Sequence, residues 1–158
     1  MIISPPFLPA RNAITTDIAY LDLAMQEQHD GRFPISNKLA WHGGVHLTAP
    51  TRANGREPVC AISDGTVVYV RQPSARPTDE ATREAHPLGY NGWTDDGCVV
   101  IRHETEIGAD AQDRGVEVRF FSIYMHLNAI RTNVRTNQTI LRKTELGRRP
   151  PGLSSGRV

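Results

Sequence analysis

The chain has 158 residues, with 18 Lys plus Arg against 17 Asp plus Glu and a formal net charge of +1. That length fits one domain with its own hydrophobic core, and the near-neutral charge argues against a nucleic-acid partner, which basic proteins hold by counterion release. No apolar run approaches the roughly 20 residues that a membrane-spanning helix needs.

The N-terminal segment is rich in proline and shows no apolar periodicity. We predict an arm over residues 1–13 that lies extended on the domain surface or is disordered. The segment lacks the positive n-region and the apolar h-region of a secretory signal peptide.

One helix is predicted, over residues 16–29. Thr16 can cap it, and Gly31 follows its last turn. Its apolar positions recur at helical spacing: Ile18, Leu21 and Met25.

From Trp41 onward, short runs rich in β-branched residues predict a mostly β domain. Residues 58–62 and 66–71 form a predicted hairpin around the turn 63–65, because Asp-Gly is a strong turn signal. Further strands are expected at 97–103, 116–125 and 139–141. In the strand 116–125 apolar side chains alternate onto both faces, and we expect both to be covered.

Two other stretches read as connections, residues 72–95 as a long loop and residues 128–138 as a linker. The domain is thus predicted over residues 14–147, with an irregular tail at 148–158. Cys60 and Cys98 allow one disulfide at most, and we favour two buried free thiols.

The most informative segment contains two histidines, His42 and His46, separated by Gly43, Gly44 and Val45. The glycines oppose a helix. In an extended segment, residues four apart share a face, so both imidazoles can reach one metal ion. The alternative is that both are hydrogen-bonded structural residues.

The segment from His42 to Leu47 resembles the H-x-G-x-D-L motif of lysostaphin/LytM-like zinc peptidases, with His46 in place of the aspartate. Three more blocks follow in the family's order. Residues 58–67 look like P-V-x-A-x-x-x-G-x-V, residues 97–103 like G-x-x-V-x-I-x-H with one position fewer, and residues 124–127 like Y-x-H-L.

This resemblance implies an α+β, mostly β fold, with an antiparallel sheet or sandwich and one N-terminal helix. It implies Zn2+ held by His42 and His46, and a catalytic His126 that acts as general base or stabilises the oxyanion. His103 matches a family position of uncertain role. Tyr124 and Trp93 are candidate substrate contacts, although Tyr124 can equally be half-buried in the sheet and Trp93 can belong to the core.

The implied function is zinc-dependent hydrolysis of peptide bonds in peptidoglycan stem peptides, by a monomer that could be a secreted antibacterial effector with an immunity protein. Without a recognisable signal peptide, the protein would be made in the cytoplasm. It would reach the periplasm or cell wall through secretion machinery, by lysis, or with a leader missing from this chain.

The family completes its site with a late H-x-H. Here a turn-like Gly152–Gly156 is followed by Arg157 and Val158, where the chain stops. The chain is then either truncated or frame-shifted, or its lineage has lost the motif, and weak zinc binding with little activity is expected. The alternative function is a degenerate LytM-like module that binds peptidoglycan or a protein partner without cutting.

Overall fold

The computed structural model describes residues 2–7, 16, 27–32, 35–36, 44–47, 49, 51–52, 55–86 and 95–148. Twelve strands and one helix are found within these ranges. The strands are β1 (Glu27–Arg32), β2 (Ile35–Ser36), β3 (Val45–Leu47), β4 (Thr51–Arg52), β5 (Gly55–Arg56), β6 (Val59–Cys60), β7 (Gly65–Arg71), β8 (Gly97–Ala109), β9 (Gly115–Leu127), β10 (Ala129–Ile130), β11 (Thr139–Ile140) and β12 (Glu145–Arg148). The helix, α1, covers Glu80–Ala85.

The strand pairs are antiparallel and form sheets with the orders β11-β7-β8-β9, β10-β12-β6, β2-β1-β3 and β4-β5. The predicted mostly β fold is therefore confirmed. Within the described ranges, no helix is long and apolar enough to cross a membrane.

The largest element is the hairpin of β8 and β9, whose strands have 13 residues each. Their register runs from Gly97 opposite Leu127 to Ala109 opposite Gly115. Strand β7 accompanies β8 only as far as the pair Thr66 and Arg102. Beyond that pair the hairpin continues as a two-stranded ribbon, residues 103–109 and 115–120, which we call the distal ribbon.

The hydrophobic core lies on one face of this sheet, where Val99, Ile101 and Leu127 are buried with Leu146 of β12. The N-terminal arm closes over it. Phe7 is buried, and the backbone of the arm pairs with the chain around β6, through Ser4 N to the Ile62 carbonyl at 2.8 Å. Residues 2–7 of the predicted arm are therefore a docked part of the domain.

The expectation that both faces of β9 are covered is wrong. Phe121, Ile123 and Met125 are 55%, 63% and 61% exposed, while Ser122 and Tyr124 on the opposite face are buried. Alternation along the strand gives two apolar faces, but the core of the described chain packs against only one of them.

The predicted hairpin over residues 58–71 is correct in its strands and its turn and wrong in its pairing. Strand β6 joins β12, whereas β7 joins β8 and β11. The intervening residues are engaged elsewhere, because Ala61 N donates to the Thr144 carbonyl and Lys143 N to the Ala61 carbonyl. The chain thus changes sheets at this turn.

The predicted helix over residues 16–29 is wrong at its C-terminal end. Residues 27–29 belong to β1, which pairs with β2 and β3. The apolar periodicity that suggested a helix stops at Met25, and strand pairing determines the conformation after it. Residues 17–26 lie outside the described part of the chain.

Both cysteines are free thiols; Cys60 is fully buried and Cys98 half-buried. Burial, assisted by the nearby Glu145 carboxylate, raises the pKa of Cys60 from 9.0 to about 11. Burial also raises the pKa of Cys98, against the opposing charge of Arg71. The Cys60 thiol therefore resists ionisation in the folded protein.

This raised pKa predicts a loss of stability at alkaline pH. The unfolded chain releases the Cys60 proton near pH 9 and the folded chain only near pH 11, so the stabilisation is complete below pH 9 and lost as pH rises from 9 to 11. Urea unfolding should show the wild type losing about 2–3 kcal/mol relative to Cys60→Ala over this range. A wild-type to Cys60→Ala difference that stays constant over this range would contradict the prediction.

Candidate functional site

The predicted metal ligands lie in and before strand β3. His46 is the central residue of β3, so its backbone is extended, as the two-histidine interpretation requires. His42 lies outside the described residues, as does the side chain of His46. Among the described residues no group of three or more His, Cys, Asp or Glu side chains is arranged to hold a metal ion.

The predicted catalytic histidine, His126, stands near the end of β9 with a left-handed backbone, at a φ of 60°. This conformation is uncommon for residues other than glycine and is often found at functional sites. It interrupts the alternation of β9, so His126 does not simply continue the buried face of Tyr124. Its side chain is half-buried.

A backbone carbonyl fixes the orientation of the His126 ring. Nδ1 lies 3.1 Å from the Asp95 carbonyl oxygen. Because a carbonyl oxygen only accepts, Nδ1 carries the hydrogen, and Nε2 of the neutral ring keeps its lone pair. This is the tautomer that a general base using Nε2 requires.

The segment that supplies this carbonyl is itself anchored. The Asp96 carboxylate accepts hydrogen bonds from Ser74 N at 2.6 Å and from Ser74 Oγ at 2.8 Å, and it pairs with Arg71. The hydrogen bond from the Ser74 backbone is the main cause that lowers the pKa of Asp96. Gly97 follows, and a Cβ there would collide with the Leu127 carbonyl, so only glycine permits this close approach beside His126.

A second histidine, His103, lies fully inside the protein, 1% exposed. Its Nδ1 donates to the Asp64 carbonyl at 2.7 Å, and its Nε2 lies 2.7 Å from Ser122 Oγ. The ring stacks on Phe120 with centroids 4.5 Å apart. Since Nδ1 must be the donor to the carbonyl, Nε2 of the neutral ring accepts the Ser122 hydroxyl hydrogen.

Tyr124 extends this buried polar chain. Its hydroxyl accepts a hydrogen bond from Ile62 N at 2.9 Å and is also hydrogen bonded with Ser122. Burial raises the pKa of Tyr124, against these two hydrogen bonds. Tyr124, predicted as a possible substrate contact, is only 8% exposed and its hydroxyl is used internally. In this structure it holds the turn at Ile62.

The polar chain therefore begins and ends on one turn. Ile62 N donates at one end and the Asp64 carbonyl accepts at the other, with Tyr124, Ser122 and His103 between them. Sequence analysis assigned His103 no role. The signal that could have found it is a histidine at a position whose strand alternation predicts burial, because a buried imidazole needs two hydrogen-bonding partners.

The structure thus brings Tyr124 of β9 and His103 of β8 into one buried network. It orients His126 near the end of β9, the strand that carries Tyr124. Trp93, the other predicted substrate contact, lies outside the described residues. The position of His126 relative to His42 and to the His46 side chain also stays a prediction.

The comparisons with known proteins give no assignment. No protein-family model matches the chain, and no curated protein or solved structure is significantly similar to it. The lysostaphin/LytM-like interpretation therefore stands as a proposal based on motifs and on the geometry of the site.

Proposed function

We propose that the protein is a zinc-dependent hydrolase of peptide bonds in peptidoglycan stem peptides, with His126 moving the proton. The observation that carries the proposal is the orientation of His126. Its Nδ1 is held by the Asp95 carbonyl in an anchored segment, which leaves Nε2 able to accept a proton.

Two features of the chain support a metal partner. His42 and His46 are imidazole ligands of the kind that zinc prefers, and β3 gives His46 the extended backbone that the proposal needs. A zinc ion held there would polarise the scissile carbonyl. The role of His126 is to take a proton at Nε2 from the water that attacks the scissile carbonyl and to return it to the leaving amine.

Removal of the metal or of its ligands tests the proposal. We expect His42→Ala and His46→Ala each to weaken zinc affinity at least tenfold in calorimetric titration, because each removes one of the two proposed ligands. His86→Ala, at the end of α1, is the matched histidine control and should leave the affinity unchanged.

Hydrolysis is followed by mass spectrometry of digested sacculi, where each cut creates a new amine in a stem peptide. A chelator should abolish these products and added zinc should restore them. Sacculus binding without any new amine would favour the alternative of a module that binds peptidoglycan without cutting. If neither His42→Ala nor His46→Ala changed the zinc affinity, the proposed metal site would be contradicted.

A further inference from the structure

The distal ribbon leaves the main sheet with only two strands. Its residues pair across the hairpin, for instance His103 opposite Phe120 and Glu106 opposite Glu117, and no other described strand flanks either edge. Two-stranded β-ribbons are marginally stable in water, and an open edge with a regular backbone favours pairing with another strand.

The charges on the ribbon are unbalanced on one face. Glu106 and Glu117 stand directly opposite each other, and like charges at such positions are destabilising. Glu104 is also on this face, where Arg119 Nε reaches its carboxylate at 2.8 Å. A further cation placed beside Glu117 on the open side of β9 would offset this repulsion.

We propose that the β9 edges of two copies of the chain pair antiparallel, with the two-fold axis at Val118. The segment from Gly115 to Phe121 then meets its own copy in reverse. The opposed pairs are Gly115 with Phe121, Val116 with Phe120, Glu117 with Arg119, and Val118 with itself, each in both directions.

This register places compatible side chains opposite each other on both faces of the ribbon. On one face Glu117 of each copy lies opposite Arg119 of the other. Arg119, which reaches Glu104 in its own chain, thus also places a positive charge beside Glu117 of the partner copy. The Phe121 ring, 55% exposed in the single chain, lies over Gly115 and the Glu106 carboxylate that packs against it. On the other face Val116, which is 38% exposed, meets Phe120. Opposed residues always share a face, because an axis through a residue pairs odd numbers with odd and even with even.

The other edge and the other registers fit less well. Pairing through the outer edge of β8 would bring Glu104 and Glu106 of two copies together. An axis at Ile123 would pair the exposed apolar residues Phe121 and Met125 but would leave Glu117 without a cation. The segment from Gly115 to Phe121 ends before His126, so pairing there leaves His126 outside the contact.

Seven residues from each copy make an interface smaller than that of a permanent dimer. The association should therefore be weak and depend on protein concentration. The sequence-based expectation of a monomer then describes the dilute protein, and the dimer forms as concentration rises.

Charge reversal gives the decisive test, by sedimentation velocity over a concentration series. Glu117→Arg places two cations opposite each other, and Arg119→Glu places two anions opposite each other, so each variant alone should remain a monomer where the wild type dimerises. Glu117→Arg also relieves the repulsion with Glu106, so its loss of association cannot be attributed to unfolding. An equimolar mixture of the two variants should recover dimers, because each opposed pair of positions 117 and 119 then again holds one cation and one anion.

Crosslinking tests the axis position. Val118→Cys should form an intermolecular disulfide under mild oxidation, since the two Val118 positions are direct neighbours across the pair. Ile107→Cys, exposed on β8, is the control and should not crosslink. The proposal is overturned if the wild type stays monomeric at all concentrations. It is also overturned if the charge-reversal variants dimerise like the wild type, or if their mixture does not associate.

Discussion

His103→Leu is expected to lower the free energy of unfolding by about 3–5 kcal/mol, a large part of the stability of a domain of this size. Leucine has a comparable volume but no hydrogen-bonding group. The substitution leaves the Asp64 carbonyl and the buried Ser122 hydroxyl without the ring nitrogens that now satisfy them. Each unsatisfied group costs about 1–3 kcal/mol, and the stacking with Phe120 changes as well.

Urea unfolding followed by circular dichroism measures this loss, with a decrease in melting temperature of roughly 10 °C as a second readout. Ser122→Ala added to His103→Leu removes a hydroxyl that has already lost its ring partner but still bonds Tyr124, so the second change should cost less than Ser122→Ala alone and the two changes are not additive. His86→Leu is the control histidine and should cost less than about 1 kcal/mol. A cost for His103→Leu as small as that of His86→Leu would refute the buried polar chain.

His126→Asn is expected to reduce the rate of stem-peptide hydrolysis by at least about 100-fold, within the 10²–10⁴ range of general acid–base catalysis. Asparagine tolerates the left-handed backbone that His126 adopts, so the fold should be retained. The change removes the imidazole whose Nε2 is the proposed proton acceptor. Hydrolysis is measured as the release of new amines from sacculi, per mole of protein with zinc added.

Two further variants separate the ring from the backbone. His126→Val should lower the melting temperature, because a β-branched residue is strained at a φ of 60°. His126→Asn should leave the melting temperature and zinc affinity unchanged while activity falls. If His126→Asn retained full hydrolysis, the proton-transfer role would have to be abandoned, whereas the fold and the zinc site would be unaffected by that result.

Local sequence patterns predicted the positions of the strands better than the pairing between strands. The strands β7, β8, β9 and β11 lie where β-branched residues and turn signals indicated them. The separation of β6 from β7 was missed, because the turn between them is held by residues 2–6 and 141–144, far away in the chain. No local pattern carries that information.

The helix α1 was missed within a segment that its prolines marked as a loop. The signal was present: Asp79 accepts a hydrogen bond from Thr82 N at 2.7 Å as the N-cap, and good helix formers follow it. Strand β12 was missed for another reason. Its four residues make no distinct pattern alone and become a strand by pairing with β6 and β10.

Part of the candidate site could also be predicted. His126 was identified from its motif, and its backbone and its Asp95 partner became evident only from the structure. The burial of His103 follows from the alternation of its strand, but its partners Asp64 and Ser122 belong to other segments and cannot be read from the residues around it.

The turn at residues 62–64 also has a consequence for how the chain folds. It is bound by segments from both ends of the sequence: Asp64 accepts from Arg142 N, 78 residues away, and Arg142 in turn bonds Ser4 across 138 residues. Contacts between residues so far apart in sequence require large loops to close, and the entropy lost in closing them slows folding. Folding should therefore fall in the millisecond-to-second range of high-contact-order β proteins. During synthesis the turn can acquire all of its hydrogen-bonding partners only after residues 142–144 have left the ribosome.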